Sequence, residues 1–214
     1  MVTASSTTVN DQTAAGSAAY PVPVSARLTL VAHGSTRATT AAAFGDDEPL
    51  DERGLATVIR ARARLGRVSS AVSSPALACR QTASALGLDA VVDPMLADWD
   101  LGRWRGRTLD QVAAEEPAAI RAWLGAETAA PHGGEPLAGL LARAADWLCT
   151  IPERGHTVAV THPAIVRAVV VATMSAPAAG FWRIDISPLT ATVLRGGPER
   201  WTVRSTGLPL DQEI

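Results

Sequence analysis

Short apolar runs rich in β-forming residues alternate along this chain with longer stretches of helical periodicity, and two of those runs end on a histidine. Arg27-LTLVA-His33 reads as a buried strand that delivers His33 at its carboxyl end. His156 to Thr161 repeats the pattern and places His162 at its end, with a helix following from Pro163 to about Ser175. Between them, Leu50-Asp51-Glu52-Arg53-Gly54 opens a helix whose apolar face is Leu55, Val58, Ile59 and Ala63. Val68 to Ser74 gives a strand closed by Pro75, then a helix over Ala76 to Leu86 stopped by Gly87, then a short strand at Ala90 to Val92. Arg107 to Gly125 reads as two short helices broken at Pro117, and Pro136 suits the first position of a helix running to about Thr150. Trp182 to Ile186, Ala191 to Leu194 and Trp201 to Arg204 read as strands, the last two flanking the turn Arg195-Gly196-Gly197-Pro198.

Strands alternating with helices predict an α/β domain, a three-layer sandwich whose mostly parallel central sheet is flanked by helices. In such sheets reactive groups gather at the carboxyl ends of strands. His33 and His162 both stand there, which makes them candidates for one shared pocket.

Composition narrows the function. At 214 residues the chain is long enough for one domain with a substantial core. The expected division is a disordered leader over 1–26, rich in Ser, Thr and Ala, and a folded domain over 27–214. The leader has neither a basic start nor an apolar centre, and no run approaches the roughly 20 apolar residues that span a bilayer. The expected setting is the cytoplasm, with no membrane partner. A net charge of −2 offers no basic surface for nucleic acid. All 19 basic residues are arginine, which excludes a lysine Schiff base and the lysine of a phosphate-binding P-loop. Cys79 and Cys149 form no metal-ligand pattern and are expected as buried free thiols within helices. The four histidines and scattered acids show no metal spacing either, so neither metal nor cofactor is expected. The expected partner is a small-molecule substrate, and a homodimer stays open.

The words around the histidines are more specific. LVAHGST, SSPALACRQTA, LADWDLGRWRG, PHGGEP and VAVTHPAIVRAVV occur in this order. Their spacing resembles the histidine phosphatase superfamily of phosphoglycerate-mutase-like proteins over roughly residues 27–205. The nearest flavour is that of small phosphatases similar to those of cobalamin nucleotide-loop assembly. The resemblance implies that His33 is the nucleophile that would form a phosphohistidine, Gly34 the glycine that follows it, and His162 the second pocket histidine. It places Asp98 at the acid that protonates the leaving group, with Asp100 the nearby carboxylate in reserve.

The departures carry as much information. An arginine should precede His33, and the chain has Ala32; a second should follow the Ser-Pro word, and the chain has Ala78. Arg80, two residues on, lies about 200° round a helix and should face elsewhere. Arginines hold a phosphoryl dianion through charge-assisted bonds, so ordinary phosphatase activity should be weakened. Arg37, four residues after His33, is a candidate replacement, and Arg103 and Arg105 are candidates to overhang the entrance; for each, a solvated surface arginine is the competing reading. Trp99 and His132 are further candidate substrate contacts, set against core packing for the tryptophan and a surface loop for the histidine. Trp104 and Trp123 carry the same choice, and His156 reads as a turn residue. Two functional classes stand: an enzyme using His33, His162 and Asp98 for acid–base or nucleophilic chemistry on a small metabolite, and a non-catalytic binding protein on the same scaffold.

Overall fold

A computed structural model describes residues 26–62, 65–197 and 200–210. In chain order the elements are β1 (Ala26–Ala32), α1 (Arg37–Ala41), α2 (Glu52–Ala61), β2 (Ser70–Ser73), α3 (Leu77–Ala85), β3 (Val91–Val92), α4 (Leu109–Glu115), α5 (Pro117–Gly125), α6 (Leu137–Leu148), β4 (His156–Thr161), α7 (Pro163–Thr173), β5 (Thr190–Gly197) and β6 (Arg200–Pro209). Short 3₁₀ turns lie at Pro94–Leu96, Gly102–Trp104 and Ala178–Arg183. Apart from Ala26, the leader expected over 1–26 lies outside the described residues.

The six-stranded sheet runs β3-β2-β4-β1-β5-β6. β3, β2, β4 and β1 are mutually parallel, while β5 pairs antiparallel with β1 and β6 with β5. The chain leaves β1 towards one side of the sheet and leaves β4 towards the other, so the order reverses between these two strands. A crevice opens at such a switch point. Register fixes what stands in it: Ala32 pairs with Thr161, and the His33 N–H donates to the Thr161 carbonyl at 3.0 Å. His33 and His162 therefore leave neighbouring strands at the same height.

Both faces of the sheet are covered, because side chains alternate along each strand. Leu28, Leu30 and Ala32 point to the face holding α6, α7 and the tryptophans. Val31, Val158 and Val160 point to the other, against Val58 and Ala61 of α2 and Cys79 and Ala83 of α3. Leu28 and Leu30 are fully buried, and each removal from water contributes about 1.5–3 kcal/mol.

Several expectations need correction. The run Trp182 to Ile186 is not a strand; Phe181 and Trp182 sit in a 3₁₀ turn, where they pack edge-to-face against each other and close on Trp99. Tertiary packing of large rings has overridden β propensity here. Helix α2 buries Gly54, Val58 and Ala61, whereas Leu55 and Ile59 are exposed; Ala63 lies outside the described residues. Pro136 caps α6 from outside rather than opening it. Cys79 is buried, but Cys149 is an exposed thiol at the C-cap of α6. His156 is the first residue of β4, not a turn residue, and its ring bonds to Thr29 Oγ1 (2.9 Å) and the Arg67 carbonyl (3.1 Å). Part of the turn over Arg195 to Pro198 falls outside the described residues, though the strands it joins do pair antiparallel.

Candidate active site

A cavity of about 510 Å³ opens beside the carboxyl ends of β1 and β4, within the size range of small-ligand sites. His33, His162, Asp98, Ser74 and Ala78 all line it. The His33 and His162 rings meet edge-on with centroids 5.1 Å apart.

Neighbouring oxygen atoms set the tautomers of both neutral rings. His33 Nδ1 lies 2.8 Å from the Gly34 carbonyl oxygen. A carbonyl only accepts, so Nδ1 carries the proton and the Nε2 lone pair is free for a proton or an electrophile. His162 Nδ1 lies 3.3 Å from Asp98 Oδ2, and its Nε2 lies 2.9 Å from Ser74 Oγ. The carboxylate charge beside Nδ1 favours the proton on that nitrogen, which leaves Nε2 to accept from the serine hydroxyl. Burial pushes the His162 pKa down, the Asp98 charge pushes it back up, and the neighbouring His33 lowers it again. Cys79 Sγ approaches the same Nε2 at 3.5 Å, but burial raises its pKa well above the usual thiol range, so it stays a thiol.

Asp98 is held by a crossing of two loops. The Glu135 N–H donates to the Asp100 carbonyl at 2.8 Å, and the Arg103 N–H donates to the His132 carbonyl at 3.0 Å. Gly102 and Gly134 stand at the crossing, where a Cβ on Gly134 would lie 2.1 Å from the Asp100 oxygen. Arg143 of α6 ties the crossing from behind. Its Nη1 donates to the carbonyls of Met95 and Ala97, each at 2.8 Å, while Nε and Nη2 bond the Glu135 carboxylate at 3.1 and 2.7 Å. Asp100 points away onto Arg105 and the Gly102 N–H, so of the two it is Asp98 that faces His162.

The other sequence candidates separate. Trp99 lines the cavity and donates from Nε1 to the Glu135 carbonyl at 2.7 Å. Ala78 faces the cavity from the first turn of α3, and Arg80 turns outward to the Pro75 carbonyl. Ala32 is fully buried in the core beneath the site and does not line the cavity. Gly34 lies on the far side, under α2, where an added Cβ would meet Val58 at 2.9 Å; it serves packing. Arg37 is exposed at the start of α1 and does not line the cavity, which corrects its candidacy as a replacement arginine. His132 is buried between Trp99 and Trp104, accepting at Nδ1 from the Gly134 N–H, and is an aromatic-core residue rather than a rim residue. Arg103 pairs with Glu116, while Arg105 does reach the cavity wall, paired with Asp100 at 2.8 Å.

Sequence reasoning missed Ser74, Arg143, Arg167 and the run Asp46-Asp47-Glu48, all but Arg143 lining the cavity. Ser74 and Arg167 lie within the words already singled out. Arg143 and the acidic run carry no local signal. Among the described residues, no cluster of side chains suited to a metal ion is present, and no helix is long and apolar enough to cross a membrane.

A sheet of this order holds two strand-end histidines in one crevice at its switch point, and the sequence comparison gives the family. The chain belongs to the histidine phosphatase superfamily (branch 1), whose model matches residues 28–208. The glucosyl-3-phosphoglycerate phosphatase of Mycobacterium tuberculosis is 31% identical over 174 residues, covering 72% of this chain and 78% of that protein. The structure of the mycobacterial enzyme complexed with VO3 superposes with a TM-score of 0.74 at 29% identity, covering 85% of this chain and 98% of the other. A bifunctional protein of M. tuberculosis, Rv2228c, is 36% identical over 126 residues; these span 55% of this chain but only 35% of that longer protein.

Proposed function

We propose that this protein is a divergent enzyme of the superfamily, acting on a small metabolite through His33, His162 and Asp98, with conventional phosphomonoesterase activity weakened or lost. The observation that carries this reading is the pairing of an intact histidine–histidine–carboxylate cluster with alanine at the cavity-facing position 78. The free lone pair of His33 Nε2 suits it to take a proton or attack an electrophile. His162, kept neutral by burial and oriented by Asp98 and Ser74, suits the partner role in proton transfer. Isomerisation, cyclisation and elimination can run on such an acid–base pair without a dianion clamp.

The test is steady-state turnover of an aryl phosphate. The expected rate is far below about 1 s⁻¹, the lower end of ordinary enzyme turnover. A rate at or above that value, abolished by His33→Ala, would overturn the reading.

A second reading is an atypical phosphatase on a small phosphomonoester, such as a cobalamin nucleotide-loop precursor. It is favoured by Arg167, a cavity-lining residue whose guanidinium carbon lies 5.8 Å from the Phe181 ring centroid. A phosphohistidine trapped on His33 by rapid acid-free quenching selects this second reading, since a proton carrier forms no covalent intermediate.

A further inference from the structure

The walls of the cavity carry a charge balance opposite to that expected around a phosphate. Among the described residues that line it are four carboxylates, Asp46, Asp47, Glu48 and Asp98, and two arginines, Arg105 and Arg167. Arg105 is already paired with Asp100, and Asp185 acts on the Arg167 charge from outside the wall. Two of the loop acids are pinned in place. Asp47 Oδ1 accepts from the Leu77 N–H and Glu48 Oε1 from the Ala38 N–H, each at 2.6 Å. Asp46 has no hydrogen-bond partner among the described residues. The Asp47 charge also reaches the reacting end of the cavity, where it acts on both His162 and Cys79.

Five aromatic side chains stand among the otherwise small residues of the remaining wall. Phe44, Trp99, Trp123, Phe181 and Trp182 line it, with Trp123 and Trp182 centroids 4.7 Å apart and Trp99 and Trp123 centroids 5.2 Å apart. Indole faces attract cations and also accept flat apolar groups, while carboxylates repel a dianion. Phosphate is therefore opposed twice, by the absent arginine at Ala78 and by the acids present.

We propose that the cavity takes a small organic cation, an amine on a flat apolar body, with the ammonium at Asp46, Asp47 and Glu48 and the body against Trp99, Trp123 and Trp182. This names the substrate class for the site assigned above and rests on that reading of the cavity.

Calorimetric titration of the full chain with phenethylamine, phenethyl alcohol and phenethyl phosphate varies charge on one body. The amine is expected to bind tightest and the phosphate weakest, with added salt weakening the amine alone. Asp46 is exposed, so Asp46→Asn should fold normally and weaken the amine about two- to fivefold while leaving the alcohol unchanged. Glu48→Gln provides a second variant with the same expectation. Equal affinity for amine and alcohol, tighter binding of the phosphate, or binding of none of the three overturns the proposal. Tight binding of phenethyl phosphate without hydrolysis would remove the cation preference and leave the divergent-enzyme reading standing; rapid hydrolysis would remove both.

Discussion

Substituting Ala78→Arg tests the proposal that alanine at the cavity-facing position 78 weakens ordinary phosphatase chemistry. Ala78 is 5% exposed, lies in the first turn of α3 and faces the cavity that holds His33 and His162. An arginine there has open volume to enter, unlike one at Ala32, which is 0% exposed within the core. A charge-assisted bond from guanidinium to a phosphoryl oxygen contributes about 1.5–3 kcal/mol. Two such bonds are geometrically available to one guanidinium, but Asp47 and Asp98 compete for it in the same cavity. Counting one net bond gives a rise of about 10- to 150-fold in kcat/KM. The assay is hydrolysis of p-nitrophenyl phosphate by the wild type and the folded variant, with circular dichroism and a melting curve as controls. Loss of activity on adding His33→Ala would show that the gain runs through the same histidine. A folded Ala78→Arg protein with no gain would refute the reasoning, because the pocket would then have changed beyond that side chain.

Ala32→Arg should destabilise by about 1–3 kcal/mol or more, since it overpacks a filled core; an unchanged melting temperature would contradict the placement of Ala32 beneath the cavity. Arg143→Met removes the tie behind the Asp98 loop and should cost about 1.5–3 kcal/mol of stability through the lost charged hydrogen bonds, read as a lower urea midpoint with the slope unchanged. Burial lowers the pKa of His162, His156 and His132. The unfolded chain therefore binds more protons below the ordinary imidazole value of about 6.5, and stability should fall as pH drops from about 6.5 towards 5.5. A melting temperature that is flat or rises over that interval would show that these rings are not held neutral by the fold. Asp98→Asn removes the charge that raises the His162 pKa, so NMR titration should find that ring titrating lower than in the wild type; an upward move would mean that Asp98 does not face it.

The layered architecture was legible because it follows from local periodicity. Strands that end on His33 and His162, followed by helices, already imply a parallel sheet with both histidines at one edge. The alanines at 32 and 78 were equally readable, because motif spacing fixes position whatever the fold does. Pairing then supplied what spacing could not: Ala32 opposite Thr161 puts the two rings side by side. Where a side chain points and what approaches it from elsewhere were tertiary decisions. Arg37 is close to His33 in sequence but is exposed at the start of α1, whereas Arg143, 45 residues after Asp98, bonds that residue's own carbonyl. Trp182 joined a ring cluster instead of a strand because burying aromatic surface outweighs β propensity, and that surface comes from Trp99 and Trp123 in other segments. The acidic run Asp46-Asp47-Glu48 looks in sequence like a solvated loop. Hydrogen bonds to the first turns of two helices turn it into a cavity wall, and no local pattern encodes that distance.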